Sequence, residues 1–97
     1  MDRKLRVLVA GTGFAGQGHT EAFRAVGAEV VGMVGRTPKV LTDVANKMAI
    51  PYTSTDWQQA LQDCQPDIVS IGTPGGAHYG PITRSLNNMS INVPIFQ

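Results

Sequence analysis

The sequence predicts an α/β domain, a parallel sheet with helices on both faces in three layers. Three observations lead there. Short apolar or β-branched runs at residues 5–10, 29–34 and 67–72 alternate with stretches whose apolar residues recur at helical spacing. Such alternation favours right-handed strand-helix-strand crossovers. A glycine-rich turn, Gly11-Thr12-Gly13-Phe14-Ala15-Gly16, joins the first run to the first helical stretch. The chain has 97 residues, 42% of them hydrophobic, which suits one domain with a modest core.

Residues 5–10 are apolar except for Arg6 and run straight into Gly11, the pattern of a buried parallel strand ending in a tight turn. Beyond the turn, Ala15, His19, Ala22, Phe23 and Val26 recur at helical spacing, and Gly27 supplies a helix stop. A β-branched strand follows at 29–34, then Gly35-Arg36-Thr37-Pro38, where Thr37 can cap a second helix and Pro38 can take its first position. Val40, Leu41, Val44, Ala45 and Met48 form the apolar stripe of that helix, and Ile50-Pro51 marks its exit.

A brief strand is expected at 51–53, then Thr55 or Asp56 as the cap of a short helix through Leu61. Pro66 resets the chain before the strand at 67–72, which Thr73-Pro74-Gly75-Gly76 closes. A further helix is expected at 78–86, its first turn disturbed by Gly80-Pro81. Residues 87–97 differ in character: they are rich in asparagine, and Ile91, Val93 and Ile95 alternate with Asn92 and Pro94. That suits an edge strand better than a central one. The expected organisation is a domain over residues 1–86 and a divergent tail over 87–97, the sheet being truncated after its fourth or fifth strand.

Charge narrows the partners. Eight basic and seven acidic residues are scattered along the chain for a net charge of +1, with no basic run for nucleic acid. The one cysteine, Cys64, cannot form an intramolecular disulfide, and no stretch approaches a membrane span or a signal peptide. A cytoplasmic protein is expected, with no metal site.

The glycine turn carries the chemistry. Alone, G-x-G-x-x-G marks any tight strand-helix connection, but here it follows an expected strand and opens an expected helix, the context that dinucleotide binding requires. Gly11 lets the strand turn, Gly13 removes the side chain that would block a diphosphate, and Gly16 lets the helix pack close to the sheet. Free N–H groups at the helix start, backed by its dipole, then face the phosphates. A site selective for NAD usually carries an acidic residue about 20 residues further on, bonded to the adenosine ribose. At that place stand Gly35, which has no side chain, and Arg36. Arg36 with the Thr37 hydroxyl can bind a 2′-phosphate, so NADP is expected over the alternative, NAD.

These stretches resemble the Gfo/Idh/MocA group, named for glucose-fructose oxidoreductase and inositol dehydrogenase. The resemblance rests on residues 7–16 with His19 and Phe23, on Gly35-Arg36-Thr37-Pro38, and on residues 67–74 with His78. It implies a Rossmann domain followed by a substrate domain, usually for a sugar or polyol, that supports hydride transfer. It also implies that Thr73, Pro74 and His78 line the nicotinamide ribose, whereas His19 reads as a structural contact on the first helix. The family's Glu-Lys-Pro triplet is missing: the last lysine is Lys47, and beyond Pro81 the only charged residue is Arg84.

The expectation is therefore a cofactor domain without its catalytic lysine, from a fragment, a frameshifted product or a natural single-domain protein. A non-catalytic binding or assembly module with a vestigial site is the alternative, and a partner chain that supplies the missing domain is a third reading. Without a fifth strand, the strand at 67–72 would expose an edge. The tail around residues 90–96 is expected to cover it, within its own chain or by pairing two copies.

Overall fold

A computed structural model describes residues 4–72 and 95–96. It contains β1 (Arg6–Ala10), α1 (Phe14–Ala25), β2 (Glu29–Val34), α2 (Pro38–Met48), β3 (Thr53–Ser54), α3 (Trp57–Cys64), β4 (Ile68–Ile71) and β5 (Ile95–Phe96). The strands form one parallel sheet in the order β3-β2-β1-β4-β5. The Rossmann-like α/β fold expected from the alternation is the one observed. The helix expected at 78–86 lies outside the described residues.

Alternation along the strands divides the core in two. Val7 and Val9 of β1 join Val30, Met33, Leu41, Val44, Ala45 and Met48 on one face of the sheet, with Phe23 of α1 packed against them. Leu8 and Ala10 join Ala60, Leu61, Cys64, Val69 and Ile71 on the other. Thus α1 and α2 cover one face and α3 the other, giving the three layers. Arg6, the polar residue in the first apolar run, is half-buried because its guanidinium donates to Cys64 O at 2.5 Å. Its own N–H donates to Asp67 Oδ2 at 2.9 Å, tying the start of β1 to the approach of β4.

Five local expectations need correction. Of the expected α1 stripe Ala15, His19, Ala22, Phe23 and Val26, only His19 and Phe23 turn inward; Ala15, Ala22 and Val26 are exposed, Val26 by 79%. The helix buries Gly16 and Thr20, with His19 and Phe23 half-buried. It seats on the sheet through small residues, and the Thr20 hydroxyl is satisfied by Gly16 O at 3.0 Å. Alanines on the outer face serve helix propensity instead. In α2, Val40 is likewise exposed.

Thr37 occupies the N-cap position of α2 but makes no side-chain cap bond. Pro38 takes the first helical position, where its missing N–H leaves no intrahelical bond unmade. Finally, β3 is displaced past Pro51: Met33 N–H donates to Tyr52 O and Gly35 N–H to Ser54 O, at 2.9 and 3.3 Å, and α3 continues beyond Leu61 to Cys64. Asp56 is its cap, accepting from the N–H groups of Gln58 and Gln59.

Ile95 and Phe96 pair with Val69 and Ser70, so the tail reaches the β4 edge within its own chain. Among the described residues, no helix is long and apolar enough to cross a membrane, and no group of His, Cys, Asp or Glu could hold a metal ion.

On the α3 side, the Tyr52 hydroxyl donates to Asp63 Oδ2 at 2.5 Å, and Gln59 Nε2 donates to Asp63 Oδ1 at 3.0 Å. The bond to Asp63, helped by burial, pushes the Tyr52 phenol from 10.0 up to about 12, while the bonds from Tyr52 and Gln59 hold the Asp63 carboxyl below 3.8. The signs follow by linkage. The Asp63 contribution to stability is present above 3.8 and lost as pH falls below it, whereas the Tyr52 contribution is complete below 10.0 and lost as pH rises through about 12. The difference in phenolate absorbance between wild type and Tyr52→Phe is expected to titrate near 12; a midpoint at 10.0 would show that the bond does not persist in solution.

Candidate dinucleotide site

The carboxyl ends of β1, β2 and β4 meet where chain order reverses across the sheet, the crevice in which open α/β sheets bind their ligands. Each of the three strands is followed there by a glycine: Gly11, Gly35 and Gly72. Gly11 N–H donates to Val34 O and Gly72 N–H to Ala10 O, both at 2.8 Å, so the three ends are knit together by main-chain bonds.

The glycines of the turn have different reasons to be glycine. Gly11 adopts φ +112°, open to it and strained for other residues. Gly16, in the first turn of α1, is pressed against the end of β1: a Cβ there would lie 2.1 Å from Gly11 O. Gly72 faces it from β4, where a Cβ would lie 2.6 Å from Gly16 N. Gly72 is the residue that sequence reasoning missed, its one signal being a glycine closing a β-branched strand.

Gly13 differs from all of these. It has φ −78° and ψ −169°, backbone that any residue adopts, and a Cβ there would meet nothing within 4 Å. The protein itself gives no steric reason for glycine at 13. A ligand lying against the main chain does.

Capping points the same way. Gly13 is the N-cap of α1, and neither α1 nor α2 has a side-chain cap bond. Lys39 stands in the first turn of α2, the wrong charge for a helix N-terminus unless an anion is bound nearby. By contrast α3 has its Asp56 cap. Thr12, Phe14 and Ala15 complete the turn, Phe14 opening α1 and Ala15 exposed behind it.

At the end of β2, Gly35 is half-buried, and a Cβ there would come within 2.8 Å of Thr12 Cγ2 and 3.3 Å of Leu41 Cδ1. An acidic side chain cannot be added at 35 without moving the Thr12 methyl. Arg36 and Thr37 follow, both exposed. The structure thus brings the turn, Arg36 and Thr37 to one end of the sheet; Thr73, Pro74 and His78 lie outside the described residues. His19 is held in a structural contact, its Nδ1 2.7 Å from the Oγ of the buried Ser70. The buried Cys64 thiol is pushed up by desolvation, which makes it a poor nucleophile.

Comparison with known proteins agrees with this geometry. Residues 5–95 match the family described as oxidoreductases with an NAD-binding Rossmann fold, a span that takes in most of the tail. Over 95 residues the chain is 25% identical to 4-carboxy-2-hydroxymuconate-6-semialdehyde dehydrogenase of Sphingobium sp. (strain NBRC 103272 / SYK-6), covering 94% of this chain and 30% of that enzyme. GenD2 from gentamicin A biosynthesis, solved in complex with NAD, superposes with a TM-score of 0.80 at 30% identity, over 98% of this chain and 27% of GenD2. Scyllo-inositol dehydrogenase from Lactobacillus casei, with NAD(H) and scyllo-inositol bound, shares the fold at TM-score 0.74 and 20% identity, over 96% of this chain and 28% of that one. The chain thus spans under a third of the length of these relatives. The family match and the glycine-lined crevice have one conclusion: this chain belongs to the Gfo/Idh/MocA oxidoreductases and is their NAD-binding Rossmann domain.

Proposed function

We propose that this domain binds NADP in preference to NAD and delivers its nicotinamide to a hydride-transfer reaction. In this reading the diphosphate lies against Gly13 and the first turn of α1. The adenosine 2′-phosphate lies at the start of α2 against Arg36 and the Thr37 hydroxyl. The observation that carries the preference is Gly35: the place of a ribose-binding carboxylate is filled by a residue with no side chain, and the Thr12 methyl crowds the space one would need. A 2′-phosphate would be repelled by such a carboxylate and gains charge-assisted bonds from a guanidinium. Thr37 supports the reading, since its hydroxyl is not used to cap α2. When bound, the cofactor supplies the hydride or accepts it. Thr73, Pro74 and His78 join the site by family resemblance, and a reducing, cytoplasmic setting fits the single buried thiol.

NAD preference is the competing reading, favoured by the NAD complex of GenD2. The two cofactors share everything except the 2′-phosphate, so the turn serves both and only the end of β2 discriminates. Calorimetric titration with each separates them. Tighter binding of NADP is expected, and Arg36→Ala should lower the NADP:NAD affinity ratio about tenfold, the loss of one charge-assisted contact. Wild-type protein that binds NAD more tightly would overturn the assignment.

A further inference from the structure

Gln17 reaches the glycine turn twice. Its main-chain N–H donates to Gly13 O at 3.0 Å, and its side-chain Nε2 donates to Thr12 O at 3.1 Å. Both carbonyls at the tip of the turn are thereby drawn to the helix side. In a trans peptide the carbonyl and the following N–H point in opposite directions. Holding Thr12 O therefore aims the Gly13 N–H away from Gln17.

The amide of Gln17 is itself held. Lys47, near the end of α2, donates from Nζ to Gln17 Oε1 at 3.2 Å. An ammonium can only donate, so the oxygen must face Lys47 and the NH2 must face Thr12. Two helices are thus joined to the turn by one chain of hydrogen bonds, ending in a cation.

We propose that Gln17, its side chain oriented by Lys47, is a positioning residue for the diphosphate: the side chain keeps the Thr12 carbonyl off the anion and so presents the Gly13 N–H to it. This rests on the dinucleotide reading above but not on the choice between NADP and NAD, because the diphosphate is common to both. Arg36 sets the ratio of the two affinities and Gln17 sets their common level.

The test is calorimetric titration of the wild type and of Gln17→Ala, Gln17→Glu and Lys47→Ala with both dinucleotides, alongside thermal melts and the amide NMR shift of Gly13 in ligand-free protein. Gln17→Glu keeps the shape and still accepts from Lys47 but cannot donate to Thr12 O. Each Gln17 variant should weaken NADP and NAD alike by about tenfold, the loss of one well-placed hydrogen bond, with the affinity ratio and the melting midpoint unchanged and the Gly13 amide shifted. Lys47→Ala should weaken both less, and less again in the Gln17→Ala background. Unaltered affinities in both Gln17 variants, or a loss confined to NADP, would overturn the proposal while leaving the cofactor site standing. A wild type that binds neither dinucleotide would instead overturn the function on which it rests.

Discussion

Gly16→Ala is expected to lower the melting midpoint by at least about 12 °C. The added Cβ would stand 2.1 Å from Gly11 O and 2.8 Å from Gly11 C, main-chain atoms that cannot rotate aside as a side chain can. Relief requires α1 to lift from the sheet, which would part it from Gly72, Ser70 and the turn together. Overpacking of a tight contact costs about 1–3 kcal/mol and occasionally more, and a clash with backbone belongs at the upper end. For a domain of this size each kcal/mol moves the midpoint by roughly 4–8 °C. A melt within about 2 °C of wild type would mean that the close approach of helix and strand is not present in solution.

Gly13→Asp should do the reverse. Nothing lies within 4 Å of a Cβ at 13, and the backbone there is already extended, as an N-cap requires. An aspartate would cap α1 as Asp56 caps α3 and would oppose the positive end of the helix dipole. The midpoint is expected to hold or to rise by a few °C, from about 0.3–1 kcal/mol of capping and dipole stabilisation. Binding of both dinucleotides should fall by at least about 100-fold, because the carboxylate occupies the N–H groups meant for the diphosphate and repels it. A variant that is more stable and still binds would show that the anion lies elsewhere. Two glycines three positions apart in one motif are thus expected to fail in opposite ways, one in folding and one in binding.

Much of this was legible in the sequence because it is written in near neighbours. The bounds of β2, the start of α2 at Pro38, the residues of the glycine turn and the absence of a carboxylate at the end of β2 are each read within a few positions of one another. Where local reading failed, a contact from elsewhere in the chain decided. Of the stripe drawn through Ala15, His19, Ala22, Phe23 and Val26, only His19 and Phe23 turn inward, beside the small residues Gly16 and Thr20, because closeness to the sheet as well as hydrophobicity sets which face of α1 turns inward. The short third strand was placed too early because its limits come from the β2 groups it pairs with.

By itself the sequence determined the alternating α/β architecture, the strand-turn-helix that opens it and the family resemblance, since periodicity and glycine spacing are properties of a chain before it folds. Only the tertiary structure decided that Gly72 and Gly16 share one contact, that Gly13 is the glycine of the turn motif with no steric duty to the described residues, and that Gln17 joins Thr12 to Lys47. The physical reason is range: hydrophobic pattern acts along the chain, whereas a 3 Å hydrogen bond or a missing Cβ acts across space, between residues whose separation in sequence carries no mark of their meeting.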